Sequence, residues 1–136
     1  MLHILSDTIV FVLSHDTHNN WLYAKLVGPQ DADSSLASCN TIKLFVTEIK
    51  STKILCDSSE AIDGWSDIEY WVSQQFLPIL FDQGIIALAW VNAKDWPTRY
   101  VVQHSTHPRV AIFDDVEFAY AWLKTVNSRI VPSPPK

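Results

Sequence analysis

Two serines between two carboxylates are the side chains of this chain best placed for chemistry: Asp57-Ser58-Ser59-Glu60. The apolar residues 54–56 before them are typical of a short buried strand. In open α/β sheets, ligands and reactive groups gather just beyond the carboxyl ends of the strands. A serine at such a place could carry a phosphate, or its hydroxyl could simply bond the backbone of an acidic loop. The sequence alone leaves both alternatives open.

Histidines and cysteines are the next candidates, because zinc requires three or four N, S or O ligands. Four of the five histidines form two pairs spaced by three residues, His15 with His18 and His104 with His107, and these four fall in predicted turns or loops. Cys39 and Cys56 fall in a predicted helix and a predicted buried strand, where free cysteine behaves as a small hydrophobe. The acidic residues within 57–63 do not have the spacing of a calcium loop. We therefore predict no metal and no other cofactor.

Motifs for covalent catalysis or phosphate binding are missing from the sequence. A nucleophile elbow needs Gly-x-Ser-x-Gly, and none of the three glycines belongs to such a pattern. No glycine-rich phosphate loop occurs either. Four of the six tryptophans, Trp65, Trp71, Trp90 and Trp96, could line an apolar pocket or pack in the core, and Trp96 is expected to be partly exposed. We predict that the protein is not an enzyme.

Composition favours one globular domain. The chain has 136 residues, of which 48% are hydrophobic and 18% charged. We expect residues 1–127 to form a single domain and the proline-rich residues 128–136 to be a mobile tail. The net charge of −5 and the lack of a basic stripe argue against nucleic-acid binding. No apolar run approaches the ~20 residues of a membrane span, and no signal peptide is recognisable, so we expect a cytoplasmic location.

Hydrophobic periodicity predicts strands that alternate with helices. The predicted strands are 8–13, 21–27, 54–56, 85–91 and 109–113, and a polar turn at 14–20 joins the first two as an antiparallel hairpin. The predicted helices run from a cap within 31–35 to about 50, from a capping box at Ser66 and Glu69 to Asp82, and from Asp114 to about 126, with Pro78 loosening the second. Gly84 ends that second helix. Residues 96–104 are either a short helix or a strand.

The fold class is therefore α/β: a single domain with a mixed, mostly parallel sheet and an N-terminal antiparallel hairpin, in the order β-β-α-β-α-β-(α)-β-α. Six residues are expected in buried central strands: Leu55, Cys56, Leu88, Ala89, Val110 and Ile112.

With this order, the chain resembles the SpoIIAA-like (STAS-like) family, near the STAS and SEC14-type domains. The similar features are Gly28 after the second strand, residues 54–57 entering a loop before Gly64-Trp65, residues 76–78, and Gly84 before a strand. The most specific is the block 109–123, a strand ending in Phe-Asp-Asp followed by a helix ending in Ala-Trp-Leu. The resemblance implies a STAS-type fold and a regulatory or protein-interaction module.

In related anti-sigma-factor antagonists, a serine in an Asp-Ser-Ser-Gly stretch is reversibly phosphorylated. Glu60 stands here where that motif has glycine, and the neighbouring carboxylates of Asp57 and Glu60 would oppose an added phosphate. Whether Ser58 or Ser59 is phosphorylated stays open from the sequence.

The function predicted from these observations is a non-enzymatic regulatory or interaction module; the alternative is a carrier or sensor of a small apolar or amphipathic ligand, as the SEC14-type kinship suggests. The expected binding loop and its neighbours comprise Asp57, Ser58, Ser59, Glu60, Trp65, Trp96 and Asp114. Its acidity favours a partner protein with a basic surface. The sequence leaves a homodimer open.

Overall fold

The computed structural model describes residues 2–62, 71–92 and 109–126. Within them, six strands form one mixed sheet in sequential order: β1 (Leu2–Asp7), β2 (Phe11–Asp16), β3 (Trp21–Pro29), β4 (Lys53–Ile62), β5 (Ala87–Val91) and β6 (Val110–Phe113). The α-helices are α1 (Ala32–Ile49), α2 (Leu77–Asp82) and α3 (Val116–Thr125), and a π-helical turn (Val72–Phe76) leads directly into α2. The predicted α/β class is confirmed.

The pairing of the strands divides the sheet into two halves. β1, β2 and β3 are antiparallel neighbours, whereas β3, β4, β5 and β6 are parallel. The predicted hairpin is thus β2–β3, and the predicted parallel part is confirmed. The capping box at Ser66, the segment 96–104 and the tail lie outside the described residues.

β1 is a strand that sequence reasoning missed. All six of its residues are exposed or only partly buried, so it lacks the alternating apolar pattern that burial imposes on a strand. Backbone pairing with β2 holds it at the edge of the sheet. The neighbouring prediction was also shifted: β2 begins at Phe11 because the Thr8 amide and hydroxyl both donate to the Phe11 carbonyl, which makes residues 8–11 a turn.

The largest correction concerns β4, which continues through residues 57–62 where the sequence predicted an acidic loop. Parallel pairing with β3 extends to Pro29 opposite Ile62, and a bulge near Val27 absorbs one extra residue of β4. Asp and Ser are weak strand formers, but backbone pairing with the neighbouring strand β3 outweighs that local preference.

Helices cover the two faces of the sheet unequally. α1, the π-helical turn and α2 pack on the first face, over a core that includes Leu22, Ile54, Cys56 and Leu88. α3 packs on the second face against β4, β5 and β6, over Leu55, Ala89 and Phe113. Five of the six residues expected in buried strands are buried; Ile112 is only partly buried, because β6 is an edge strand.

The helix ends explain how the chain turns into each strand. Before Pro78, the Leu77 amide donates to the Val72 carbonyl five residues back, so the predicted loosening is confirmed as a π-helical turn. Gly84 follows α2 with φ of 109°, a left-handed conformation that suits glycine. α3 is capped by Asp115, which accepts from the Glu117 amide at 2.7 Å, and not by Asp114 as predicted.

Candidate functional site

The predicted site residues that the structure describes lie at one edge of the sheet, where the carboxyl ends of β4, β5 and β6 meet. Asp57, Ser58, Ser59 and Glu60 belong to the second half of β4, and Asp114 directly follows β6. Because these strands are parallel, the topology brings their ends together as predicted. Trp65 and Trp96 lie outside the described residues.

Asp57 is a buried carboxylate with a full set of donors. It is 5% exposed. The Tyr23 hydroxyl donates to its Oδ2 at 2.9 Å, and the Ser59 amide donates to its Oδ1 at 3.0 Å. Burial, and then the negative charge of Asp57, raise the pKa of the Tyr23 phenol above its usual range. Tyr23 therefore remains a neutral donor that holds the carboxylate in place.

Ser58 is fully buried, and its hydroxyl donates to the Val91 carbonyl at 2.5 Å. The carbonyl can only accept, so the hydroxyl hydrogen is committed to this bond. A kinase or a substrate could reach the Ser58 oxygen only after β4 separated from its surroundings. Ser59 is partly buried, which leaves it the more accessible of the two serines.

Glu60 and Lys25 form an exposed ion pair between β4 and β3. Their Oε2 and Nζ atoms are 2.6 Å apart, and the side chains are 54% and 40% exposed. The hydrogen bond to Glu60 is the main cause that raises the pKa of Lys25. Lys25, which lies opposite Asp57 in the sheet, is thus already paired with a carboxylate of the acidic stretch.

Asn92 links the ends of β5 and β6. Its amide donates to the Phe113 carbonyl at 2.8 Å, and its Nδ2 donates to Asp114 Oδ1 at 3.2 Å. Asn92 is 6% exposed, and among the described residues its Oδ1 has no hydrogen-bond partner. This side chain orients Asp114 at the start of α3.

In the described part of the chain, the exposed carboxylates at this edge are those of Glu60, Asp114, Asp115 and Glu117, in addition to the buried carboxylate of Asp57. Asp114, Asp115 and Glu117 all belong to the exposed turn and first helical turn that follow β6. We call Glu60 together with these three residues the acidic edge. Its carboxylates would repel an anionic ligand and attract a basic one.

Of the other groups that the sequence proposed for chemistry, His104 and His107 lie outside the described residues. Cys39 and Cys56 are buried free thiols, and burial raises the pKa of Cys56 to about 12. His15 Nε2 lies 2.7 Å from Asn20 Oδ1, beside the β2–β3 turn. In the part of the chain that the structure describes, no group of three or more His, Cys, Asp or Glu side chains could hold a metal ion.

Tyr23 is the site residue that sequence reasoning missed. Its place in β3 was predicted, but its partner depends on the register that sets Tyr23 opposite Leu55 and Lys25 opposite Asp57. Tyr23 and Asp57 lie on the same face of the sheet. The only sequence feature that could have indicated this contact is a tyrosine in an alternating strand that pairs with a strand containing an aspartate.

A separate concave feature lies on the first face, at the same end of the sheet as the acidic edge but beside the antiparallel strands β1 and β2. It is a groove of ≈260 Å³ between the β1–β2 turn and the first three turns of α1. Val10, Phe11 and Ala37 supply apolar surface to it. We call it the hairpin groove.

No helix in residues 2–62, 71–92 and 109–126 is long and apolar enough to cross a membrane. Comparison of the chain with protein-family models, with curated proteins and with solved structures found no match in any of the three.

Proposed function

We propose that the protein is a non-enzymatic interaction module of the SpoIIAA-like (STAS-like) type, which docks a basic surface of a partner protein on the acidic edge. The observation that carries the proposal is the concentration of exposed carboxylates at the turn into α3: Asp114, Asp115 and Glu117. The sequence resemblance supports the regulatory class.

The hydrogen bonds beneath the acidic edge support a rigid scaffold in preference to a reactive centre. The Ser58 hydroxyl, the Asp57 carboxylate and the Tyr23 phenol are each committed to an internal partner. A nucleophile needs an accessible atom and a base within reach. Groups that are bonded and buried instead fix the backbone from which the exposed carboxylates project.

Charge complementarity predicts which property of binding the acidic edge should affect most. A basic partner surface would be attracted by the acidic edge before contact, which raises the association rate more than the final affinity. The effect should weaken with added salt, since exposed charges are screened over about 10 Å at 0.1 M ionic strength.

The experiment compares two charge-neutralised proteins as baits in native cell extract. One carries Asp114→Asn and Glu117→Gln at the acidic edge. The control carries Glu48→Gln and Asp82→Asn, which remove the same charge from exposed positions near the other ends of α1 and α2. Partners identified by mass spectrometry are then purified for stopped-flow kinetics.

We expect a partner that the wild type and the control retain and the acidic-edge variant loses, with an association rate that falls as salt rises. Equal retention by both variants, or an association rate insensitive to salt, would contradict docking on the acidic edge.

A second candidate function, carriage of a small apolar or amphipathic ligand, is favoured by the hairpin groove. Its volume of ≈260 Å³ is close to the lower end of small-molecule sites, about 300 Å³. The residues that line the groove come from the β1–β2 turn and α1, and none of them belongs to the acidic edge, so the two functions would use different side chains.

A further inference from the structure

We infer that the hairpin groove binds a small amphiphile with a protonated amine head and an apolar body. The inference rests on the second candidate function, ligand carriage, and is independent of partner docking on the acidic edge. Three observations carry it: the apolar surface of the groove, the direction of its hydroxyl hydrogen bonds, and the charges around it.

The size and surface of the groove define the body of the ligand. Val10 and Phe11 come from the start of β2 and the turn before it, and Ala37 comes from α1. Ala37 is exposed, so nothing larger than a methyl group fills this position of the helix. A cavity of about 150 Å³ holds benzene, so ≈260 Å³ suits about ten non-hydrogen atoms.

The hydroxyls of the groove present oxygen lone pairs. Ser38 donates to the Ser34 carbonyl at 2.9 Å, and Thr41 donates to the Ala37 carbonyl at 3.0 Å. Thr8 donates to the Phe11 carbonyl at 3.2 Å. Because a carbonyl can only accept, each of these hydroxyl hydrogens is already used.

The Ser34 hydroxyl, in the first turn of α1, also has its hydrogen committed to a backbone carbonyl. Its hydroxyl donates to the Asp31 carbonyl at 3.2 Å and accepts from the Asp31 amide at 3.0 Å. Ser6 is the remaining hydroxyl of the groove and can adopt either role. A ligand head therefore meets mostly acceptors, and it must bring N–H or O–H donors.

Charge favours a cation over a neutral or anionic head. Among the described residues that line the groove there is no Lys, Arg or His. Exposed Asp7, Asp31 and Asp33 lie next to it along the chain. The N-terminus of α1 would by itself attract an anion, but the Asp31 carboxylate already caps it by accepting from the Ser34 amide at 2.7 Å.

The test uses two probes with the same apolar chain and opposite heads, n-octylammonium and octanoate, added at millimolar concentrations to the full chain. Two-dimensional NMR of the backbone amides reports where each probe binds. Ala37→Leu fills the groove from an exposed helical position. Asn40→Leu is the matched control, because Asn40 is also exposed on α1 and does not line the groove.

We expect n-octylammonium to shift the amides of residues 6–11 and 34–41 and to bind at least about tenfold more tightly than octanoate. Ala37→Leu should weaken this binding by a similar factor, and Asn40→Leu should not. Thr41→Leu also fills the groove and replaces Ala37→Leu in the test if that variant fails to fold.

Each other result overturns the inference in a distinguishable way. Octanoate binding as tightly as n-octylammonium would refute the amine preference and leave ligand carriage standing. Shifts that persist unchanged in both groove-filling variants would place the probe elsewhere. If neither probe shifts the groove amides, both the inference and ligand carriage at this groove fail.

Discussion

β5 and β1 are strands of similar length that occupy opposite environments in the sheet. All five residues of β5 are buried, whereas none of the six residues of β1 is. β5 lies between β4 and β6 with helices on both faces, while β1 forms the edge of the sheet. An apolar side chain in the covered centre of the sheet should therefore contribute more to stability than one in the exposed edge strand.

The sharpest test of this contrast is a pair of truncations, Leu88→Ala in β5 and Ile4→Ala in β1. Leu88 is 1% exposed, and its truncation should lower the free energy of unfolding by about 2–5 kcal/mol through lost burial and a new cavity. Ile4 is 58% exposed, so its truncation should cost less than about 1 kcal/mol. Urea denaturation measures both, and similar losses in the two variants would contradict the contrast.

The same contrast explains which strands could be predicted from the sequence. Buried strands such as β5 carry a dense apolar run, and their existence was predicted with boundaries close to those observed. β1 was missed because backbone pairing alone holds it at the edge of the sheet, and such pairing does not require an alternating apolar pattern in the sequence. The second half of β4 was missed for the opposite reason: Asp57 and Ser58 are buried but polar, so only their tertiary partners reveal the strand.

Polar side chains in a buried strand need hydrogen-bond partners, and Tyr23→Phe tests this requirement for Asp57. The change removes the hydroxyl that donates to Asp57 Oδ2 and leaves a buried carboxylate oxygen without that donor. We expect a loss of about 1.5–3 kcal/mol, the range for hydrogen bonds to charged groups. Tyr120→Phe is the control, because the Tyr120 hydroxyl accepts from the uncharged Asn19 side chain, and losing a hydrogen bond between neutral groups should cost less.

The effect of Tyr23→Phe should also depend on pH. The pKa of Tyr23 is raised in the folded state, whereas an unfolded tyrosine loses its proton near pH 10. The stability that Tyr23 contributes is therefore fully present below about pH 10 and is lost as the pH rises beyond it. We expect the difference between wild type and Tyr23→Phe to be larger at pH about 8 than at about 11; an unchanged difference would refute the raised pKa.

The candidate site was predicted in its location but not in its detail. Parallel strands alone require that the ends of β4, β5 and β6 meet, so Asp57 and Asp114 could be placed at one edge. The inaccessibility of Ser58 could not be foreseen, because it follows from the extension of β4 along β3 and from the hydrogen bond to the Val91 carbonyl at the end of β5.

A smaller effect is expected at the start of α3, where Asp115→Ala removes the side-chain acceptor of the Glu117 amide. The loss should be about 1 kcal/mol, as is usual for an N-cap. Asp114→Asn is the control: it keeps an oxygen for Asn92 Nδ2 and leaves the cap intact. Thermal unfolding measures both variants. If Asp114→Asn were less stable than Asp115→Ala, Asp114 would be the N-cap instead.

The smallest effect should come from Glu60→Gln, which removes the charge that faces Lys25 while β4 retains its shape. Both side chains are about half exposed, so water and salt screen the 2.6 Å ion pair and its contribution should be about 0.2–1 kcal/mol. That loss should shrink further when chemical denaturation is repeated in urea with added salt. A salt-independent loss of about 2 kcal/mol or more would mean that this end of β4 is less exposed to solvent than its 54% exposed glutamate indicates.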